Sequence, residues 1–215
     1  MKKPLIGGKA AAEYVRAFTE IIKRIEADVA EGARRLKRPI AMYVAGGAAQ
    51  MFYTGTRVTR DIDAAFSHRV KLSDDLEIGY RDASGQASLL FLDRQYNETF
   101  GLIHENAHDD AIPLALTGVD PQILDVRLFS PLDLAVSKIA RLADHDRADI
   151  ASLAAHGLIT ADAVRRRAEE AVLNYVGNMK VLATSIKLAC DLVREHQRPP
   201  ASRTRAAVSI RRRRN

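Results

Sequence analysis

"AGGAAQMFYTGTRVTRDID", residues 45–63, joins a pair of glycines to a pair of aspartates through one short helical run. Ahead of it, "RPIAMYVAGG" is an apolar strand that stops at Gly46 and Gly47. Behind it, "DIDAAF" has the character of a second strand, and side chains alternate across a strand with a period of two. Asp61 and Asp63 therefore share one face, while Ile62 and Ala64 take the other. Two carboxylates so close repel each other, and burial raises at least one pKa unless a cation or a donor neutralises them. Arg57 and Arg60 are near enough in sequence to do so as plain ion pairs.

The glycines offer a different partner. Glycine between a strand and a helix lets the backbone approach a ligand, and the helix N-terminus presents free N–H groups to phosphate. If the two strands are neighbours, a nucleoside triphosphate rests on Gly46 and Gly47 while Asp61 and Asp63 hold Mg²⁺, which commonly bridges carboxylates and substrate phosphates.

Around this unit the chain changes character once. Residues 9–36 repeat Tyr14, Phe18, Ile21, Ile22, Ile25 and Val29 at helical spacing. Residues 76–105 are expected to form a meander of "LEIGYRD", "QASLLFLD" and "TFGLIHE", with a turn at Ser84 and Gly85. "ILDVRLF", residues 123–129, is another alternating strand and carries Asp125. From Ser130 onward the pattern is helical. Ser130 caps "PLDLAVSKIARLA" with Pro131 at its first position, "DRADIASLAAHG" ends at Gly157, and Thr160 caps "ADAVRRRAEEAVLNYVG". A last helix runs from about Asn178 to Arg194. Strands first and helices last predict an α+β fold: a core over 1–130, a helical region over 131–195 and a basic tail over 196–215.

With 47% hydrophobic and 28% charged residues in a chain of 215, a real core can form and global disorder is excluded. The single cysteine, Cys190, cannot make an internal disulfide, which fits a reducing cytosol. The apolar run after the first lysines is too short for a secretory signal, and none approaches the roughly 18 residues that span a bilayer. A cytoplasmic protein without a membrane partner is expected. The net charge of +6 is a property of the tail: residues 194–215 hold eight arginines and one glutamate, which leaves the preceding 193 near −1. Such an arm can grip phosphates.

A strand, a Gly-Gly turn, a short helix and then Asp-x-Asp resembles the signature of the nucleotidyltransferase superfamily that includes DNA polymerase β. "GGAAQMFYTGTRVTRDIDAAF" followed by "SPLDLAVSKIARLADHDRADI" is similar to its small bacterial branch, close to AbiE-type and MenT-type toxins, over roughly Ala41 to Leu153. The resemblance implies a minimal polymerase β-like core that uses two Mg²⁺ ions, with Mn²⁺ as a substitute, to move a nucleotide from a nucleoside triphosphate to an acceptor hydroxyl. It implies an RNA acceptor such as the tRNA 3′ end, with a protein hydroxyl as the other candidate, and a cognate antitoxin as partner. Carried over by position, Gly46 and Gly47 cradle the triphosphate, and Asp61 and Asp63 bind the metal pair. Asp125 fits the third carboxylate, beside the attacking hydroxyl. Lys138 neutralises triphosphate charge, with Arg141 three residues on along one helical face, and either Asp146 or Asp149 is the late aspartate of the nucleotide site. Ala48 stands where many members carry a hydroxyl.

Two other classes stay open. One keeps the fold as a catalytically silent nucleotide-binding module. The other is a zinc hydrolase, because "HENAH", His104 to His108, satisfies H-E-x-x-H. That motif needs a stable helix, which Asn106, Asp109, Asp110 and the nearby Pro113 oppose, so a polar loop after a strand is expected there.

Overall fold

The computed structural model describes residues 5–197 apart from positions 7, 58 and 97–100, so the arginine-rich tail lies outside the described residues. Seven strands among them form one mixed sheet: β1 (Leu5–Ile6), β2 (Ile40–Val44), β3 (Asp61–Phe66), β4 (Glu77–Arg81), β5 (Ala87–Asp93), β6 (Ile112–Ala115) and β7 (Leu124–Leu128). Their order across the sheet is β1-β6-β7-β2-β3-β5-β4. Strand β2 runs antiparallel to β3 and parallel to β7, and β3 runs parallel to β5. The α+β class holds.

The alternation expected for "DIDAAF" decides which face is the core. Ile62 and Ala64 are buried, as are Met42, Val44, Val126 and Leu128 on the neighbouring strands. Helix α1 (Ala12–Leu36) packs against this sheet and buries its whole stripe from Tyr14 to Val29. Helix α2 (Gly46–Thr54) is buried from Gly47 onward, because β3 lies on one side and helices α4 (Pro131–Ser137) and α5 (Asp144–Ala155) lie on another. Helices α6 (Ala161–Ala171) and α7 (Met179–His196) close the helical part, and one apolar cluster runs from Tyr14 to Val193. No described helix is long and apolar enough to cross a membrane.

Several local expectations are corrected. The third meander strand is absent from residues 101–105, which run without regular structure, while 97–100 lie outside the described residues. Strands β1 and β6 were not expected at all. Ser130 does cap α4, its hydroxyl accepting from Asp133 N at 3.1 Å, but the helix stops at Ser137 and does not carry Lys138 and Arg141 on one face. Lys138 N and Ile139 N reach back only three residues, to Ala135 O and Val136 O, which tightens the last turn. Leu142 then adopts a left-handed φ of 45° and turns the chain into α5.

The zinc motif fails for the same kind of local reason. Helix α3 is a single turn, Ala107–Asp110, which begins after His104. His104 is buried with Nε2 3.2 Å from Glu170, whereas His108 stacks on Tyr43 with ring centroids 4.2 Å apart. The two histidines never share a helical face, so the H-E-x-x-H reading is overturned.

Candidate active site

Strand β2 ends where Ala45 N donates to Asp63 O at 2.9 Å, and the chain then enters α2 at Gly46 with φ of 56°. No larger residue fits. A Cβ at position 46 would lie 1.8 Å from Asp63 Oδ2, and one at position 47 would lie 2.8 Å from Thr59 Oγ1. The glycine pair and the aspartate pair thus touch. Thr59, itself buried, donates a hydrogen bond to Asp61 Oδ1 and fixes that carboxylate.

The third carboxylate comes from β5. In the parallel β3–β5 pair Asp63 stands opposite Asp93, on the same side of the sheet, and both border one cavity with Asp61. Asp93 Oδ1 accepts from Gln95 N at 2.8 Å, which orients it at the strand end. Asp125 does not reach this group, contrary to the expectation. It sits on β7 opposite Ala41, whereas Asp63 is level with Ala45, so it lies roughly 13 Å farther along the sheet and about 10 Å across it. Arg127 Nε, at 2.7 Å, is its partner.

Cations line the same cavity, whose volume is about 440 Å³: Arg57, Lys138 and Arg141, with His145 beside them. Lys138 is nearly buried, its Nζ 2.8 Å from Asp149 Oδ2 and 3.8 Å from Asp146 Oδ1. Arg141 grips Asp146 with two bonds of 2.8 Å, and Arg57 Nε stands 3.5 Å from Asp149. Asp146 and Asp149 are both buried and do not line the cavity. Each therefore holds a cation in place: Asp146 serves Arg141 and the N–H of Ala143, while Asp149 serves Lys138 and Arg57. Gln50 pins the second of these by donating to Asp149 O at 3.0 Å. Burial opposes ionisation of Asp146, yet Arg141, Lys138 and the Ala143 N–H hold its carboxyl below the ordinary range. Three cations against two carboxylates leave this wall with an excess of one positive charge.

The sequence missed Asp93, Arg57, Thr59, Tyr96 and His145 as cavity residues.

Burial, and then repulsion from Asp61 and Asp93, push Asp63 up to about 6, with Lys138 and Arg141 pulling the other way. The folded chain therefore keeps a proton that the unfolded chain has released. Stability from this group is complete below about pH 4 and is lost as pH rises through about 6, a difference of about 3 kcal/mol. Asp63→Asn removes that loss. The variant is expected to unfold at higher urea concentration than the parent at pH 8, with the gain vanishing at pH 4; equal midpoints at pH 8 would mean that Asp63 ionises in the folded chain without penalty from burial or from its neighbouring carboxylates.

Residues 16–187 match the family DUF6036, described as a nucleotidyltransferase of unknown function. No curated protein and no solved structure matches the chain.

Proposed function

Because the chain belongs to the DUF6036 nucleotidyltransferases, we propose that it moves a nucleoside monophosphate from a nucleoside triphosphate to a hydroxyl of an RNA acceptor, with Mg²⁺ at Asp61, Asp63 and Asp93. One observation carries this: three carboxylates and three cations line one cavity, which begins at a glycine-led helix N-terminus. The donor set suits the ion. It offers oxygen alone, and Asp63, pushed up by burial and then by Asp61 and Asp93, would ionise more readily with a cation beside it. Among the described residues no three such groups close a cage by themselves. Mg²⁺ does not need one, since it takes one or two carboxylates and completes its shell from phosphates and water. Bound there, the ion would neutralise charge on the reacting phosphate and lower the pKa of the attacking hydroxyl.

The protein's own groups do the rest. The N–H groups at the start of α2 bind phosphate oxygens, and Ala48, fully buried, leaves that task to the backbone. Lys138, Arg57 and Arg141 offset the triphosphate charge from positions set by Asp146 and Asp149. Asp93 takes the role first given to Asp125 and accepts the proton of the acceptor hydroxyl. The acceptor oxygen bonds to the α-phosphorus as the bond to the bridging oxygen breaks, pyrophosphate leaves, and the proton passes from the carboxylate to water. The likeness to toxin nucleotidyltransferases favours RNA, such as a tRNA 3′ end, and a cognate antitoxin as partner.

The test is incubation with each α-³²P-labelled nucleoside triphosphate, Mg²⁺, total tRNA and cell lysate. Wild type and Glu105→Ala are expected to label RNA, and Asp61→Asn is not. Label on protein instead would replace RNA by a protein hydroxyl, and nucleotide binding without any transfer would leave a silent module.

A further inference from the structure

We infer that the end of the sheet remote from the cavity binds the phosphate backbone of the acceptor RNA. This rests on the RNA-acceptor reading above. The last turn of α1 and the residues after it supply Arg34, Arg35, Lys37 and Arg38; the loop that follows β3 supplies Arg69 and Lys71. All six are exposed. The fold brings the two segments together around a hollow of about 560 Å³ lined by Arg35, Arg69 and Lys71, with Asp28 and Glu31 also on it. Lys37 closes α1 in a left-handed conformation, and the chain beyond it places Arg38 Nη2 2.8 Å from His68 Nε2.

What distinguishes this cluster is that six cations without a close counter-charge gather on two adjoining segments. Among the described residues none of the six cations has a carboxylate within 4.0 Å, whereas Arg16, Arg24, Arg94 and Arg127 each do. Of the acids beside the cluster, all but Glu31 are engaged elsewhere. Asp28 accepts from Ser73 N at 2.8 Å and Ser73 Oγ at 2.9 Å, Asp75 pairs with Arg24, and Asp74 pairs with Arg94. Residues 1–193 together carry a charge near −1, so six bare cations here are a local segregation of charge. Complementing the negative end of α1 accounts for those in its last turn but not for Arg69 and Lys71.

A nucleic-acid backbone fits this surface better than a protein does. A protein interface is built on a dry apolar centre, and Leu36 is the one large apolar side chain exposed on these two segments. The strongly exposed apolar residues, Leu173 and Val176, lie instead after α6. Phosphates need only cations, and four of the six are arginines, whose planar forks match phosphate oxygens. Distance sets the size of the ligand. Tyr14, near the start of α1, feels the Asp61 and Asp63 carboxylates, and Arg35 stands roughly 30 Å farther along the same helix. A nucleoside triphosphate cannot touch both ends. A folded RNA whose 3′ end enters the cavity can.

The test compares full-length wild type with Arg35→Glu/Arg69→Glu/Lys71→Glu and with a control of equal charge change on the exposed face of α6 and α7, Arg166→Glu/Lys180→Glu/Lys187→Glu. Fluorescence anisotropy of a labelled tRNA, without nucleotide, is read across a salt series. The patch variant is expected to bind at least tenfold more weakly at about 100 mM salt, with a log–log salt slope shallower by about 2, while the control follows wild type. Equal weakening in both variants, no weakening in either, or displacement of the tRNA by polyglutamate as readily as by unlabelled RNA would overturn the inference. Failure of the transferase reading looks different: no label reaches RNA, although the anisotropy difference between the two variants remains.

Discussion

Asp93→Asn is expected to lower nucleotide transfer by roughly a hundred- to a thousandfold, while Asp125→Asn leaves it within about twofold of wild type. The two residues make a clean pair, because each is a partly buried strand aspartate whose neighbours favour strand structure. They differ in what they face. Asp93 shares a cavity with Asp61 and Asp63, whereas Asp125 is held by Arg127 on a strand two places away. Loss of folding is not expected to confuse the result, since Asp93→Asn removes a like charge from beside Asp63 and Asp125→Asn weakens only one partly exposed ion pair. Initial rates of label transfer, with urea midpoints for both variants, settle the matter. Full activity in Asp93→Asn would remove it from the site.

Gly46→Ala is expected to abolish transfer and to cost about 2 kcal/mol or more of stability. Two effects combine. The backbone there is left-handed, which costs a residue with a Cβ about 1 kcal/mol. The new Cβ would also stand 1.8 Å from Asp63 Oδ2 and 2.8 Å from Asp63 Cγ, so the carboxylate must leave its position or the helix entry must open. Either shift displaces a group that the proposed function places against the substrate or its metal. Gly85→Ala separates the two effects, because φ there is 82° but nothing lies within 4 Å of the added carbon. It is expected to cost only the backbone strain and to retain activity. If Gly46→Ala transfers label as wild type does, close contact between α2 and Asp63 is not required.

The local half of the site was legible in the sequence. Gly46, Gly47, Asp61 and Asp63 fall within eighteen consecutive positions, and period-two alternation alone puts both acids on one face. The third acid was not legible, because its identity depends on which distant strand pairs with β3. "QASLLFLD" and "ILDVRLF" look alike locally, and only the insertion of β5 between β3 and β4 selects the first. Lys138 and Arg141 were found for the right charge but the wrong geometry. Apolar spacing continued the helix through Ala143, and nothing in a leucine announces the left-handed turn that ends it at Leu142. Asp146 and Asp149 were distinguishable only once their separate cations had been placed by packing.

The placement of the cavity groups along the chain also bears on synthesis. The glycine turn and all three carboxylates lie within residues 46–93, a stretch that runs from α2 through β3 and β4 to β5. Lys138 and its partner Asp149 come much later, and the Gln50 to Asp149 bond that ties the halves together spans 99 positions. Chains fold from the N-terminus as they emerge, and long-range pairings form slowly. A growing polypeptide thus acquires its cluster of mutually repelling acids together with Arg57 but before Lys138 and Arg141. On the proposed transferase reading the nucleotide site is therefore complete only once α5 has been translated, so the chain would gain its activity late in its own synthesis.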